Sequence, residues 1–345
     1  MKKYAEGRYE QMKRFSTRIV ALVLAVMMLC SFSAAALAKT TYLTMAAVAS
    51  SSGLFPYVVS IGKVLNTYCP DYNITVSESG GNVDNTKRLR NGEVKIANSI
   101  SNTDYESYTG TGTTFDGDPF TDFRILWYYE KSPIQICVAA DSGIETIHDL
   151  DGKSFNPGGT GTAASVVIHA AFDALDIHPD YFEAGQADAA DAYANRQIVG
   201  AVKTGPAPDS YVMQLNSSRP VRILSISDED MEKILEAIPS VKSAIVAANS
   251  YEGIDYDAQC ISTYQGVQVS MDFTQEEGYA FFKAMWEDGK EIWQNAYPVG
   301  AENDVPAMTL QAAATPLHAG TVQYLVEHGY EVPEDLIPEE YVPVQ

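Results

Sequence analysis

Cysteine, histidine and basic side chains are all scarce in this sequence. Its four cysteines include no Cys-x-x-Cys pair and no Cys/His cluster, so a zinc site has no ligand set to build on. The five histidines, His148, His169, His178, His318 and His328, are scattered, and none sits in a His-Glu-x-x-His motif or beside a nucleophile. Gly-x-Ser-x-Gly is absent too. No catalytic residue, no metal and no cofactor is therefore expected. Lys and Arg number 23 against 45 Asp and Glu, a net charge of -22. So acidic a surface repels phosphate backbones, which argues against nucleic acid as a partner. It leaves room for a small anion, because the field inside a pocket differs from the net charge.

The basic residues that do occur cluster early: Lys2, Lys3, Arg8, Lys13, Arg14 and Arg18. An uncharged, mostly apolar stretch follows at residues 19–38 and ends in Ala36-Leu37-Ala38, a small-x-small cleavage signal. This is the layout of a secretory signal peptide over residues 1–38, cut after Ala38, and it predicts a periplasmic protein. A membrane anchor competes, since about 20 apolar residues span a bilayer. The Ser/Ala-rich second half and the cleavage motif favour the leader. Leu29 before Cys30 departs from the small residue a lipoprotein cysteine needs. Met12 opens a more usual start, so residues 1–11 need not be translated. Without the leader, 17 Lys and Arg face 43 Asp and Glu, a net charge of -26. Cys69, Cys137 and Cys260 then remain, and an odd count rules out a fully paired framework. A single Cys69–Cys260 bond stays open.

Past the leader, strand-like and helix-like segments alternate. Residues 41–47, 73–78 and 94–99 read as strands, with helices over 56–68 and 82–91 between them. Pro56 suits a first helical turn, and Val58, Ile61, Val64 and Leu65 recur at helical spacing. Residues 123–129 and 134–139 read as two strands separated by Ser132-Pro133. A second unit follows: strands at 154–156, 198–202 and 221–226, and helices at 163–175 and 228–238. A long strand at 261–271 and helices within 273–296 and at 319–328 complete the chain. The order implies an α/β protein built on mostly parallel sheets flanked by helices. With no flexible linker, it predicts two lobes of the type II periplasmic-binding-protein kind. Residues 39–133 with 257–345 form a discontinuous lobe I and 134–256 form lobe II, with a ligand cleft between them.

In parallel sheets, ligands sit at the carboxyl ends of strands. Two such ends carry the same device. Gly158-Gly159-Thr160-Gly161-Thr162 lets the backbone approach a ligand and opens a helix whose free N–H groups favour an anion. Read as plain structure, it is a tight turn capped by Thr160 or Thr162. Glu78-Ser79-Gly80-Gly81-Asn82 repeats the pattern in the first unit. Ser50-Ser51-Ser52-Gly53 and the loop at residues 100–103 line two more strand ends. Lys203-Thr204-Gly205-Pro206 offers a cation that can meet a ligand anion or stay solvated.

These stretches carry a family likeness. Glu78-Ser79-Gly80-Gly81-Asn82-Val83-Asp84-Asn85, Tyr105-Glu106-Ser107-Tyr108-Thr109-Gly110, Asp141-Ser142-Gly143-Ile144, Asp149-Leu150-Asp151-Gly152-Lys153, Gly159-Thr160-Gly161-Thr162, Gly205-Pro206-Ala207-Pro208 and Pro316-Leu317-His318-Ala319-Gly320-Thr321-Val322-Gln323-Tyr324 occur in order over residues 41–329. The chain thereby resembles the TAXI-type solute-binding proteins of tripartite ATP-independent periplasmic (TRAP) transporters. The resemblance implies capture of a small organic acid or amino acid, delivered to a TRAP membrane permease; a monomer is expected. A receptor for an ATP-driven importer or a signalling system is the alternative, with an exported enzyme behind it. By position, the resemblance implies ligand contacts from Ser50, Ser51, Ser52, Gly53 and Phe55; from Ser79 and Gly80; and from Ser101 and Asn102. It implies more from Gly159, Thr160, Gly161 and Thr162, and from Lys203, Thr204 and Gly205. Where the family commonly has Gly-Thr-Gly-Gly-Thr-Tyr-Tyr-Pro, this chain has Ala49-Ser50-Ser51-Ser52-Gly53-Leu54-Phe55-Pro56. Its Ser101-Asn102 stands where the family commonly has Ser-Asp. The lost acid and the added Lys203 point to a more anionic ligand than glutamate.

Overall fold

Apolar or fully enclosed residues at successive positions, rather than alternate ones, mark the strands at the middle of the sheet. The computed structural model describes residues 40–344, apart from 49, 51, 53, 160 and 161 and the side chain of residue 113. The leader, its cut after Ala38 and the site residues Ser51, Gly53, Thr160 and Gly161 lie outside the described residues. The strands are β1 (Thr41–Ala46), β2 (Tyr72–Ser77), β3 (Ile96–Ile100), β4 (Phe123–Ala139), β5 (Ser154–Asn156), β6 (Asp180–Tyr181), β7 (Gly200–Thr204), β8 (Val221–Ile223), β9 (Lys242–Val246) and β10 (Ala258–Ser270). They run in the order β2-β1-β3-β10-β4-β7-β5-β6, with β8 on β4 and β9 on β10. β1 with β3, and β5 with β6 and β7, are parallel. At the centre β4 and β10 are antiparallel to each other, and β10 to β3 and β4 to β7 likewise. Two parallel wings are thus joined through one antiparallel pair.

The helices are α1 (Phe55–Tyr68), α2 (Asn82–Arg90), α3 (Ser101–Thr109), α4 (Gly112–Phe115), α5 (Ala163–Ala174), α6 (Gln186–Ala194), α7 (Ser210–Ser218), α8 (Asp228–Ala237), α9 (Gln275–Lys283), α10 (Lys290–Ala296), α11 (Val305–Ala312) and α12 (Ala319–Glu327). Their starts follow local chemistry. Pro56 opens α1, Ser227 accepts the Asp230 amide to cap α8, and Thr274 with Glu277 forms a capping box on α9. Helices α9 and α12 cross so closely that a Cβ on Gly320 would lie 2.1 Å from the Tyr279 nitrogen. Among the described residues no helix is long and apolar enough to cross a membrane.

Residues 42–345 hold together as one unit through the continuous sheet, yet their apolar side chains gather in separate places. One core draws on Met45 to Tyr129 and again on Tyr264 to Leu336. Two others draw only on Ile134 to Ile261. The chain passes between them twice, near residues 130–133 of β4 and 262–263 of β10.

Here the structure corrects the reading of Ser132-Pro133 as a break, since β4 runs unbroken through both. Proline lacks the N–H a ladder needs, but Pro133 sits where the pairing with β7 ends. Its carbonyl accepts from Gly205 N–H at 3.1 Å. The Gly205 carbonyl takes its hydrogen from the Gln135 side-chain amide at 3.0 Å instead. The cysteines are also settled: Cys69, Cys137 and Cys260 are all buried free thiols, which removes the open Cys69–Cys260 bond.

Candidate functional site

On the first wing, the turns after β1 and β2 are tied together. Ser50 donates its backbone N–H and its hydroxyl to the same oxygen, Glu78 Oε1, at 3.0 and 3.1 Å. Ser79 Oγ donates to the Ala47 carbonyl and accepts from Gly81 N–H, at 3.0 and 3.3 Å. Gly80 N–H donates to Asp84 Oδ2 at 3.1 Å, so a carboxylate of α2 already sits on the turn. Ser52 braces the start of α1: its carbonyl accepts from Phe55 N–H at 3.0 Å, and its hydroxyl accepts from Leu54 N–H.

Beneath these turns lies a buried amide layer. Asn98 Nδ2 donates to Asn82 Oδ1 at 3.0 Å and to Gln265 Oε1 at 3.2 Å, and Tyr129 donates its hydroxyl to Asn98 Oδ1 at 2.6 Å. Asn85 Nδ2 donates to the Ala47 and Asn98 carbonyls. Each bond satisfies a group that would be costly to bury alone, so the layer fixes the heights of three strand ends. Sequence reading missed these residues. The signals were Asn82 and Asn85 inside a stretch that carries the family likeness, and polar side chains, Asn98 and Ser99, inside an otherwise apolar strand.

On the second wing, Asn156 at the end of β5 donates its amide to the Phe182 and Ala184 carbonyls, at 2.7 and 3.0 Å. Its Oδ1 accepts from Gly158 N–H at 3.0 Å. Gly158 has φ 118°, and a Cβ there would lie 2.9 Å from Thr162 Oγ1. Only glycine meets both constraints. Thr162 is the N-cap of α5 and accepts from Ser165 N–H at 3.2 Å. It remains exposed, with its hydroxyl hydrogen uncommitted among the described residues. Gly159 is half-buried beside it. The partial positive charge of this twelve-residue helix therefore stands behind Thr162, and its first turn contains no acidic residue.

Two expectations need correction. Residues 100–103 are not a loop: β3 passes directly into α3, and Ser101 and Asn102 are its first turn, each 2% exposed. Ser101 Oγ is engaged on both sides, donating to the Ser240 carbonyl at 3.2 Å and accepting from Tyr264 N–H at 3.1 Å. Lys203 is not a spare cation either. Its ammonium lies 3.6 Å from Asp209 Oδ2, and Asp209 also caps α7. Thr204 Oγ1 is enclosed without a hydrogen-bond partner among the described residues.

Three carboxyls lie deeper. Asp104 in α3 is fully buried, with Oδ2 accepting from Ser99 Oγ at 2.9 Å and from Tyr128 OH at 2.8 Å. Burial outweighs those two bonds and pushes its carboxyl up to about 7. Burial raises Glu106 and Glu130 to about 7 as well, against bonds from Asn102 and from Tyr297 and Asn303 respectively. A cavity of about 640 Å³ lies elsewhere, lined by Trp286, Lys290, Trp293, Glu302 and Asn303 among others. None of the residues expected as ligand contacts lines it.

The mixed α/β arrangement is the periplasmic-binding-protein fold, matching the type II solute-binding proteins. A TctC solute-binding protein from Polaromonas shares it at 15% identity and a TM-score of 0.51, over 75% of this chain and 88% of that one. Weaker likenesses include the periplasmic aliphatic sulphonate binding protein SsuA from Escherichia coli, at 14% identity and a TM-score of 0.46, over 83% and 90%. A TRAP periplasmic solute-binding protein from Sulfitobacter with bound β-D-galacturonate is 9% identical, with a TM-score of 0.42, over 85% and 88%. The NMT1-like family profile matches residues 45–329. The chain belongs to that family, one of TAXI/TRAP-associated solute-binding proteins. It is an extracytoplasmic solute-binding protein of a transporter.

Proposed function

We propose that the chain captures a small carboxylate-bearing solute between two lobes, residues 39–133 with 257–345 and residues 134–256, and hands it to a TRAP membrane permease. The observation that carries this reading is the start of α5. Thr162, exposed at the N-cap, and the Gly158–Gly159 turn stand at the carboxyl end of the parallel strand β5, and the first turn of α5 contains no acidic residue. That arrangement favours a ligand anion. The separate apolar cores on either side of residues 130–133 and 262–263 support closure of one lobe on the other.

Charge narrows the class. The first wing presents Glu78 and Asp84, and its nearest donors, Ser50 and Gly80, already serve those two carboxylates. Lys203 is held by Asp209. A dianion would face carboxylates on one side, whereas an amino acid can place its carboxylate at α5 and its ammonium toward Glu78. We therefore favour an amino acid over a dicarboxylate, which reverses the direction suggested by Asn102 and Lys203 in the sequence. The protein is taken to work as an exported monomer, released after Ala38.

A thermal-shift screen of the chain from Lys39 tests this, using amino acids, dicarboxylates, keto acids and sulfonates. A ligand at about 100 times its Kd adds roughly 2.7 kcal/mol and raises the melting temperature visibly. An amino acid is expected to give the largest shift. No shift with any organic acid would overturn the carboxylate reading.

A further inference from the structure

The edge of β10 changes neighbours in mid-strand. Residues 258–262 pair with β9, with Ser262 opposite Lys242, and residues 265–269 pair with β3, with Gln265 opposite Ile100. Between them Thr263 and Tyr264 face a gap where one partner strand has ended and the next has not begun. A backbone donor buried in such a gap must find another acceptor. Tyr264 N–H finds Ser101 Oγ at 3.1 Å, and the same hydroxyl passes its own hydrogen to the Ser240 carbonyl at 3.2 Å. Ser101 directly follows β3, and Ser240 stands two residues before β9. One hydroxyl therefore stitches the end of a strand from the first core to the start of a strand from the second.

The surroundings make this stitch sensitive to position. Ser101, Ser240, Ser262, Thr263 and Tyr264 are each 3% exposed or less, so water does not readily replace a lost bond. The gap lies level with the two crossings between cores, at Ser132-Pro133 and Ser262-Thr263. Any rotation of one core against the other about those crossings pivots here. Ser101 holds its two bonds together only while the end of β3, the middle of β10 and the start of β9 keep their present spacing.

We propose that Ser101 is a positioning residue, a latch that holds the relative placement of the two lobes and so sets the fraction of molecules in this arrangement. The proposal rests on the two-lobed reading above. It also moves Ser101 from the set of ligand contacts to the hinge. Because apparent affinity scales with the competent fraction, the latch tunes binding without touching the solute.

The test uses the full chain from Lys39 with spin labels at Lys87→Cys and Glu232→Cys, both exposed and on α2 and α8. Inter-label distances and Tyr264 amide exchange are read with and without Ser101→Ala. Losing both buried hydrogen bonds of Ser101 is expected to change the ratio of arrangements and to speed Tyr264 exchange by roughly tenfold or more. If wild type shows two distances whose ratio Ser101→Ala leaves unchanged, the latch is wrong and the two lobes stand. If one fixed distance persists in both proteins, with Tyr264 exchange unaltered and no response to the amino acid that shifts melting most, the two-lobe reading fails and the latch with it. Should Ser101→Ala not fold, wild type alone decides. Tyr264 exchange faster than that of Val267 through partial opening supports the latch, and exchange only on global unfolding overturns it.

Discussion

Ser50 and Glu78 are joined twice, by a backbone N–H and a hydroxyl that both reach one carboxylate oxygen at 3.0 and 3.1 Å. The bond pair closes the β1 turn onto the β2 turn and leaves a negative group at the mouth of the first wing. An ammonium of the bound solute is its natural counterion. Glu78→Gln keeps both acceptor bonds and removes the charge. It is expected to weaken binding of the amino acid found by screening about tenfold or more, by calorimetric titration, as charge-assisted hydrogen bonds carry about 1.5–3 kcal/mol. The matching deaminated acid should bind the variant as well as wild type does. Equal losses for both ligands would place Glu78 in a purely structural role.

Thr162 has two tasks that can be separated. Its oxygen caps α5, so Thr162→Val is expected to cost about 1 kcal/mol of stability in urea unfolding. Its hydroxyl hydrogen points the anion site, so the same change should weaken binding roughly tenfold. Thr162→Ser keeps both tasks and should preserve affinity and stability.

Lys203 separates the account from a simple cationic pocket. Asp209 already meets its charge at 3.6 Å, with the two side chains only 20% and 18% exposed, so Lys203→Met is expected to change the Kd by less than about threefold in titration, or about 0.7 kcal/mol. A loss of tenfold or more would restore Lys203 as a ligand contact.

Asp104 gives the fold a pH signature. Burial holds its carboxyl up to about 7, against about 4 in an unfolded chain. Between these values the folded state binds the extra proton. This group's stabilising contribution is therefore present at low pH, falls as pH rises from about 4 to 7, and is gone above. Asp104→Asn mimics the neutral form and can still accept from Ser99 and Tyr128. It should be more stable than wild type at pH 8, by up to about 4 kcal/mol at about 1.4 kcal/mol per pH unit, and little different at pH 4. Urea unfolding at both pH values checks this, and equal stability differences at the two would contradict it.

Much of the parallel wings was legible because β2 and β5 end in glycine-rich turns and helices begin at recognisable residues: Pro56 in the first turn of α1 and Thr162 at the cap of α5. Helix α3 was not legible. Ile100 runs straight into Ser101 with no breaker, and its sequence, Ser-Asn-Thr-Asp-Tyr-Glu-Ser-Tyr-Thr, lacks an apolar stripe because its buried face is polar. The same burial that hid α3 turned Ser101 and Asn102 from loop residues into enclosed ones. Pro133 misled for the opposite reason. Its local rule is sound, but Gln135 supplies the missing donor from two residues away, and only the fold brings that amide to Gly205. The pairing of Lys203 likewise depended on Asp209, six residues on and across a turn.

A crystal structure of the chain with the amino acid that shifts its melting most tests the central claim directly. The account predicts the solute between the two wings, with its carboxylate at Thr162 and the first N–H groups of α5 and its ammonium toward Glu78. A solute held instead in the cavity beside Trp293, or bound with no contact to α5, would contradict it.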